Sequence, residues 1–563
     1  MSETFLFPEE ACSEKEQASL FSPSSFSPNF LELLAKKGFS DPETVEAFLD
    51  AGLHRLRDPK AMKGMDRVIE RLERARDQKE KILIHGDYDV DGITGAAVVA
   101  KTLEIFGIAY TAFLPNRVRD GYGVSSRAIQ EAAAQGTKLL ITVDCGITAR
   151  EQITLANSLG VETIVIDHHQ IPSGGIPPAY AILNPHQEDC SYGFDGLSAA
   201  GLAFKLAQAL IGSRAYELLD LAALSTVCDV APLVDENRII VKEGLKKIQQ
   251  KNNPGMQALY EVSRIRGELN TGHIGFMLGP RINAAGRMSS PEIALRLFLT
   301  SSLKEASSLA QILEEENKSR QLEERQMVKE AIAVVERTFH FNRDRVIVVG
   351  KQGWHQGVIG IVAARLVDKY HRPAIVIAFD GEKGKGSCRS TKNFNIHEAL
   401  SACAGDLMEF GGHAQAAGLS IQETKLDAFR KSINEFALTK DPKSFEREIP
   451  VDLELTLDDL SGRFIQELEL LEPHGAGNPR PVFRTRGLSV KPKREWLYQT
   501  TLKFWVEQNG AVYEVHWSDR MNGVDERALT QSSKIDLIYS VKSKTWAGIE
   551  TLILEAKSLC PSE

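Results

Sequence analysis

The stretch that most constrains this chain runs from Ile82 to Thr94, ILIHGDYDVDGIT. Its apolar opening, KILI, reads as a buried parallel strand and then turns abruptly acidic. His85, Asp87, Asp89 and Asp91 fall within seven residues, followed at once by Gly92 and a helix-like run, TGAAVVAKTLEIF. Three carboxylates and an imidazole on one strand-to-helix turn repel one another and are poorly solvated. A cation offsets that repulsion, and hard oxygen donors with one imidazole suit Mn2+ or Mg2+ better than Zn2+ or copper. In open α/β sheets such turns lie at the carboxyl ends of strands, where ligands bind. A solvated acidic turn is the competing explanation. The two separate on whether more ligands of the same kind arrive at later strand ends.

They do. From 81 to about 187, apolar strand-like runs alternate with helical patterns: KILIHGD, AYTAFLP, KLLITVDCG, VETIVIDHH and AYAILNPH. Such alternation predicts βαβ units and a mostly parallel sheet. KLLITVD ends in Asp144, and VETIVID ends in Asp167, His168 and His169. Further on, ELLDLAALSTVCDVAPL carries Asp229 in an apolar helical stretch, where a carboxylate is expected to be buried and to need a partner or a metal. One Asp at a strand end is commonly a helix cap. Four such features on one sheet edge point instead to a shared metal site.

The rest of the chain supplies context. At 563 residues it exceeds one core, so several domains are expected. The seven cysteines stand singly with no CxxC pair, which predicts reduced thiols, a cytoplasmic compartment and no zinc cluster. The acidic start, MSETFLFPEEACSEKE, shows no secretory pattern, and no apolar run reaches the roughly 20 residues that span a bilayer. Net charge is −9, a weak argument against a polyanionic partner, because local patches and bound cations outweigh the sum. Residues 1–75 read as helical packing support, with no chemistry assigned.

Between about 190 and 340 the pattern is helical. LSAAGLAFKLAQAL reads as a tight packing helix. GPRINAAGRM places Arg281, Asn283 and Arg287 on what reads as an exposed turn, suited to phosphate contact or to a surface salt-bridge cluster. A long charged helix, EASSLAQILEEENKSRQLEERQMVKEAIAVVERTF, reads as a rigid connector. From about 343 to 438 α/β alternation resumes. Glycines around Ser387 and Arg389 in GKGSCRS admit an anion to the backbone. The GGH ending at His413 is open between a plain turn and a phosphate contact. Short β-like runs then predict a small barrel such as an OB-fold. It carries six basic residues and no acid from Arg480 to Arg494: Arg480, Arg484, Arg486, Lys491, Lys493 and Arg494. Trp496, Tyr498, Phe504, Trp505, Tyr513, Trp517 and Trp546 are interleaved, most of them expected in the core and one or two on bases.

HGDYDVDG, TVDCG, Asp167-His168-His169 and CDVAPL, in this order, resemble the motifs of the DHH phosphoesterase superfamily. GPRINAAGRM, GWHQGVIGIVAARL, GKGSCRS, GGHAQAAG and LEPHGAGNPRPVF resemble the second half of RecJ-type single-strand-specific exonucleases. The resemblance runs from about residue 80 to the C-terminus. It implies an α/β protein with two lobes, a parallel-sheet DHH domain and a DHHA1 domain, joined by a long helix, plus a C-terminal OB-fold β-barrel. The expected bounds are a DHH domain at 76–255, a helical region with the connector at 256–340, DHHA1 at 341–440 and the barrel at 447–563. It implies two divalent ions, Mn2+ or Mg2+, one held by His85, Asp89 and Asp144 and the other by Asp91, Asp144, His168 and Asp229. Asp87 and His169 would face the phosphate or support the ligands, and His413 would contact phosphate. Arg117, Ser387 and Arg389 would grip the 5′ end. The implied activity is two-metal 5′–3′ hydrolysis of single-stranded DNA to mononucleotides in repair and recombination. A single-strand-binding protein and a repair helicase are the implied partners, with no membrane, and the chain is expected to be a monomer. The competing readings are a phosphodiesterase for short oligoribonucleotides or cyclic dinucleotides, and a non-catalytic DNA-binding scaffold.

Overall fold

The computed structural model describes residues 3–6, 26–116, 123–497, 501–518, 529, 534–546 and 549–562. The chain divides into two compact units. One comprises Glu46–Arg320 with Leu471–Pro479. The other comprises Met1–Val45, Gln321–Leu470 and Arg480–Glu563.

The first unit is built on a five-stranded parallel sheet in the order Tyr110–Phe113, Lys81–His85, Thr137–Val143, Glu162–Ile166, Ala181–Leu183. Ile82, Ile84, Leu139, Ile141 and Ile164 are fully buried, as expected of a parallel sheet covered on both faces. Numbered by sequence, the strand order is 2-1-3-4-5, which reverses between the first and third strands. In such sheets the crevice at the reversal is where ligands bind. The acidic turn after His85 and the Asp144 turn after Val143 both open there.

The helix Val90–Phe106 starts on that turn. Asp89 caps it, accepting from the N–H groups of Asp91 and Gly92, and Gly107 closes it at φ +86°. The helix is buried along most of its length and packs beside the helix Ala199–Ile211. Gly95 lets it approach the sheet closely: a Cβ there would lie 2.6 Å from a Val143 methyl.

GPRINAAGRM is not an exposed turn. It forms the helix Gly279–Met288, opened by a proline in its first turn, where a missing N–H costs nothing. Its small face is buried, because a side chain at Gly286 would collide with the Tyr88 carbonyl oxygen. Asp229 is also placed differently from expectation. It stands at the C-cap of the helix Leu219–Cys228, with 29% of its side chain exposed, rather than on that helix's apolar face.

The helix Leu303–Thr338 runs 36 residues. Ala306, Leu309, Ala310 and Leu313 join the core of the first unit, and Met327, Ala331 and Val335 a core of the second. In the second unit a five-stranded sheet follows the order Glu409–Gly412, Ala416–Gln422, Lys383–Arg389, Ala374–Asp380, Ile347–Gln352. The same unit carries a barrel. Phe483–Leu497, Thr501–Gln508, Ala511–Ser518, Ile549–Pro561 and Ile535–Trp546 pair in that order, and the last closes on the first. Closure removes the sheet edges.

Candidate metal centre and nucleic-acid interface

Among the described residues, three side-chain groups in the first unit could each hold a metal ion: Asp87, Asp89 and Asp144; Asp91, His168 and Asp229; and Asp144, His168 and His169. Asp144 and His168 each belong to two of them. The backbone sets this convergence. Asp144 adopts φ +63°, a left-handed conformation that Asp tolerates better than most residues, and its N–H donates to Ile166 O at 2.9 Å. Gly92 lets the turn double back on itself, since a Cβ there would lie 2.5 Å from the Asp87 nitrogen.

Asp89, Asp91 and Asp167 are each held by protein hydrogen bonds. Asp89 Oδ1 accepts from Asp91 N at 3.0 Å and Gly92 N at 3.2 Å. Asp91 accepts from Ala199 N and Ala200 N, both at 2.8 Å, at the start of the helix Ala199–Ile211. Asp167 is 1% exposed and joins none of the three groups. It accepts from Ile147 N at 2.9 Å, His169 N at 3.1 Å and His169 Nδ1 at 2.7 Å, and so fixes the imidazole plane.

The electrostatics fit a cation. Burial, then Asp91, Asp89 and Asp87, push the Asp144 carboxyl well above its ordinary range. Burial and then Asp91 raise Asp89. Burial and then Asp91 and Asp89 lift Asp229 to about 8. The hydrogen bond that His169 donates to Asp167 raises the imidazole, against the effect of burial. Carboxylates so destabilised are relieved by divalent charge, and oxygen with imidazole is the donor set of Mn2+ or Mg2+. Cys145 and Cys228 border the cluster, but burial pushes both thiols up, so neither presents a thiolate.

His85 is fully buried and stands outside the three groups. Its Nε2 accepts from Ser125 N at 3.0 Å, and its Nδ1 lies 3.9 Å from Cys145 Sγ. Asp87, expected to face the phosphate or support the ligands, is grouped with Asp89 and Asp144. Asn283 Oδ1 accepts from Val90 N at 3.2 Å and thus braces the acidic turn. Arg281 pairs with Glu314 at 2.7 Å and donates to Met277 O at 2.6 Å. Arg287 is half-buried in the last turn of that helix. Arg117 lies outside the described residues. Sequence reasoning missed Ser225, whose hydroxyl donates to Asp91. A serine in an apolar helix carries no distinguishing signal.

In the second unit, Ser387 and Arg389 sit on one strand, with Arg389 NH1 3.2 Å from Ser387 Oγ. Gly360, in the first turn of the helix Ile359–Tyr370, lies against both; a Cβ there would be 3.0 Å from Ser387 Oγ and 3.2 Å from Arg389 NH2. Hydroxyl, guanidinium and helix N-terminus are groups chemically suited to an anion. His413 is exposed on the tight hairpin between Gly412 and Ala416.

The basic run of the barrel is already engaged. Arg484 pairs with Asp536, Arg486 with Glu454, Lys491 with Glu507 and Lys493 with Glu495. Arg480 and Arg494 donate to the carbonyls of Val541 and Leu529. Asp536, Glu454 and Glu507 come from other strands, and Glu495 follows the run on its own strand. Phe504 is in the core, and Tyr513 Oη donates to Leu460 O at 3.3 Å. Lys493 and Lys503 each place their ammonium 4.9 Å from the Trp505 ring centroid. Trp496 is 46% exposed and shares a cross-strand row with Leu502 and the half-buried Trp517. Tyr498 lies outside the described residues, as does the side chain of Trp546.

Residues 81–226 match the DHH family N-terminal domain, 343–439 the DHHA1 domain and 451–558 the RecJ OB domain. The chain is 40% identical over 459 residues to the single-stranded-DNA-specific exonuclease RecJ of Bacillus subtilis, covering 81% of this chain and 58% of that longer protein. It is 34% identical over 488 residues to the Escherichia coli RecJ, covering 82% of this chain and 84% of that one. The Mn2+ complex of RecJ from Thermus thermophilus superposes with a TM-score of 0.84 at 29% identity, over 100% of this chain and 80% of that one. The same protein has also been solved with Mg2+. With all three domain types present and the carboxylates of the acidic turn gathered at the sheet's reversal, the chain belongs to the RecJ family of single-stranded-DNA-specific exonucleases.

Proposed function

We propose that the chain hydrolyses phosphodiester bonds of single-stranded DNA from the 5′ end, releasing mononucleotides in repair and recombination. The observation that carries the reading is the sharing of Asp144 and His168 among adjacent metal-capable groups, the arrangement expected of a two-ion site. Asp87, Asp89 and Asp144 would hold one divalent ion, and Asp91, His168 and Asp229 the other, with Asp144 reaching both. When bound, the two ions supply a deprotonated water and neutralise charge developing on the phosphate and the leaving oxygen.

The chain's own residues set the geometry. The left-handed turn at Asp144, the cap at Asp89 and the paired N–H groups on Asp91 hold the carboxylates against their mutual repulsion. Asp167 keeps His169 turned toward the acidic cluster, where its raised pKa favours a cation that can meet a phosphate oxygen. His85 would serve the first ion only by exchanging its contact with Ser125. Asn283 acts on the turn's backbone, Arg281 would bind phosphate only after releasing Glu314, and Arg287 would contact phosphate. Ser387 and Arg389, with the helix behind them, would receive a substrate phosphate, as would His413; Arg117 is assigned there by resemblance alone. A single-strand-binding protein and a repair helicase are the proposed partners of a cytoplasmic monomer; among the described residues no helix is long and apolar enough to cross a membrane.

The test is digestion of 5′- and 3′-labelled single strands and duplexes with Mn2+ or Mg2+, using the wild type and Asp144→Ala. The wild type should release 5′ mononucleotides from single strands, and the folded variant should not. Turnover confined to short oligoribonucleotides or cyclic dinucleotides would replace the substrate. Near-normal turnover in Asp144→Ala would reject the two-ion site.

A further inference from the structure

Asp91 accepts three hydrogen bonds from the protein. It is 2% exposed, and Ser198 and Ser225 beside it are fully buried, so water cannot substitute for any missing contact. Oδ2 accepts from Ala199 N at 2.8 Å. Oδ1 accepts from Ala200 N at 2.8 Å and also from the Ser225 hydroxyl. The proton positions follow from what each atom can do. An ionised carboxylate only accepts, so the single Ser225 proton goes to Asp91. Ser198 Oγ stands 2.8 Å from Ser225 Oγ, so its own proton lies between the two hydroxyls. Ser198 Oγ accepts in turn from Gly201 N at 3.2 Å. Every polar hydrogen in this chain of contacts has one place to go.

A carboxylate offers about four lone-pair sites. Two on Oδ1 and one on Oδ2 are occupied, which leaves a single site on Oδ2. That oxygen lies 3.6 Å from His168 Nε2, within the group formed with Asp229. We infer that Ser225 is a positioning residue that restricts Asp91 to one metal-facing lone pair, so that this group favours a small six-coordinate ion and disfavours Ca2+. The inference rests on the reading of this group as a metal site. Mg2+ requires near-octahedral one-oxygen contacts, whereas Ca2+ takes 6–8 oxygens and is commonly gripped by both oxygens of one carboxylate. With Oδ1 saturated, Asp91 cannot provide that grip. Without the hydroxyl, Oδ1 regains a lone pair and the side chain gains freedom to turn.

The experiment uses the full chain without substrate. Mn2+ binding is followed by electron paramagnetic resonance and Ca2+ by competition, in the wild type, Ser225→Ala and Ser225→Cys. Loss of a group supporting a ligand costs about 10–100-fold in metal affinity, so Mn2+ should weaken by that factor in Ser225→Ala. Ca2+ should weaken far less or tighten, moving the ratio of the two dissociation constants toward Ca2+ by about tenfold or more. Ser225→Cys keeps a weak donor and should fall between; it carries the test if the alanine variant does not fold. Equal weakening of both ions, or no change in either, would overturn the inference. Failure of the metal reading itself shows separately: Asp229→Asn would then leave the Mn2+ stoichiometry of the chain unchanged.

Discussion

Gly286→Ala isolates how the acidic turn is held. In an open helix position the change stabilises by about 1 kcal/mol, because alanine loses less backbone freedom than glycine. Here the added Cβ would sit 2.4 Å from the Tyr88 carbonyl oxygen, and reaching an ordinary 3.4 Å contact requires the helix and the turn to part by about 1 Å. Overpacking of this kind costs about 1–3 kcal/mol, so the intrinsic gain is cancelled or reversed. The functional cost is larger. Tyr88 lies between Asp87 and Asp89, and a 1 Å misplacement of reacting groups can cost about 100-fold in rate. The assay pairs thermal unfolding with Mn2+-dependent digestion of a 5′-labelled single strand. Gly405→Ala, at a position with nothing within 4 Å, serves as the control and should be neutral in both. A Gly286→Ala variant that is more stable than the wild type and fully active would show that the contact does not position the acidic turn.

Burial lifts the Asp220 carboxyl to about 6, opposed by the Leu221 N–H and by Lys101. Its folded pKa thus lies above its unfolded value, so its contribution to stability is complete below about pH 4 and is lost as pH rises through about 6. Asp220→Asn should therefore gain up to about 3 kcal/mol at pH 7.5 and little at pH 4, read from urea unfolding; an equal effect at both would refute the assignment. In the barrel, Trp496→Ala should weaken single-strand binding by about 1–3 kcal/mol without loss of stability, the range for one stacked base. Phe504→Ala should instead destabilise by about 3–5 kcal/mol, and Trp505→Ala should leave binding nearly unchanged; equal binding losses in Trp496→Ala and Trp505→Ala would assign the wrong face. Truncation after residue 445 is not a clean test of the barrel. It removes Leu471 and Ala476, whose carbonyls accept from Arg238 and Leu233 in the metal-bearing unit, so a truncated chain should show a lowered Tm in that unit.

The amino-acid sequence alone determined the elements and the kind of chemistry. Apolar runs ending in Asp144 and in Asp167-His168-His169 are local features, because a strand's period and the charge after it are set within a few residues. The same holds for the long helix and for the short strands of the barrel. What only the tertiary structure decided was which side chains meet. Asp87 joins Asp89 and Asp144, whereas His85 is turned to Ser125, and no local pattern separates residues two apart on one turn. GPRINAAGRM reads as an exposed basic turn, yet its buried small face and the Glu314 partner of Arg281 come from segments distant in sequence. The basic run from Arg480 to Arg494 lacks acids in sequence and finds most of them on the strands beside it. Ser225 is the clearest case. A hydroxyl in an apolar helix acquires its role only when the fold sets it beside Asp91, 134 residues away, since hydrogen bonds act over about 3 Å of space irrespective of separation along the chain.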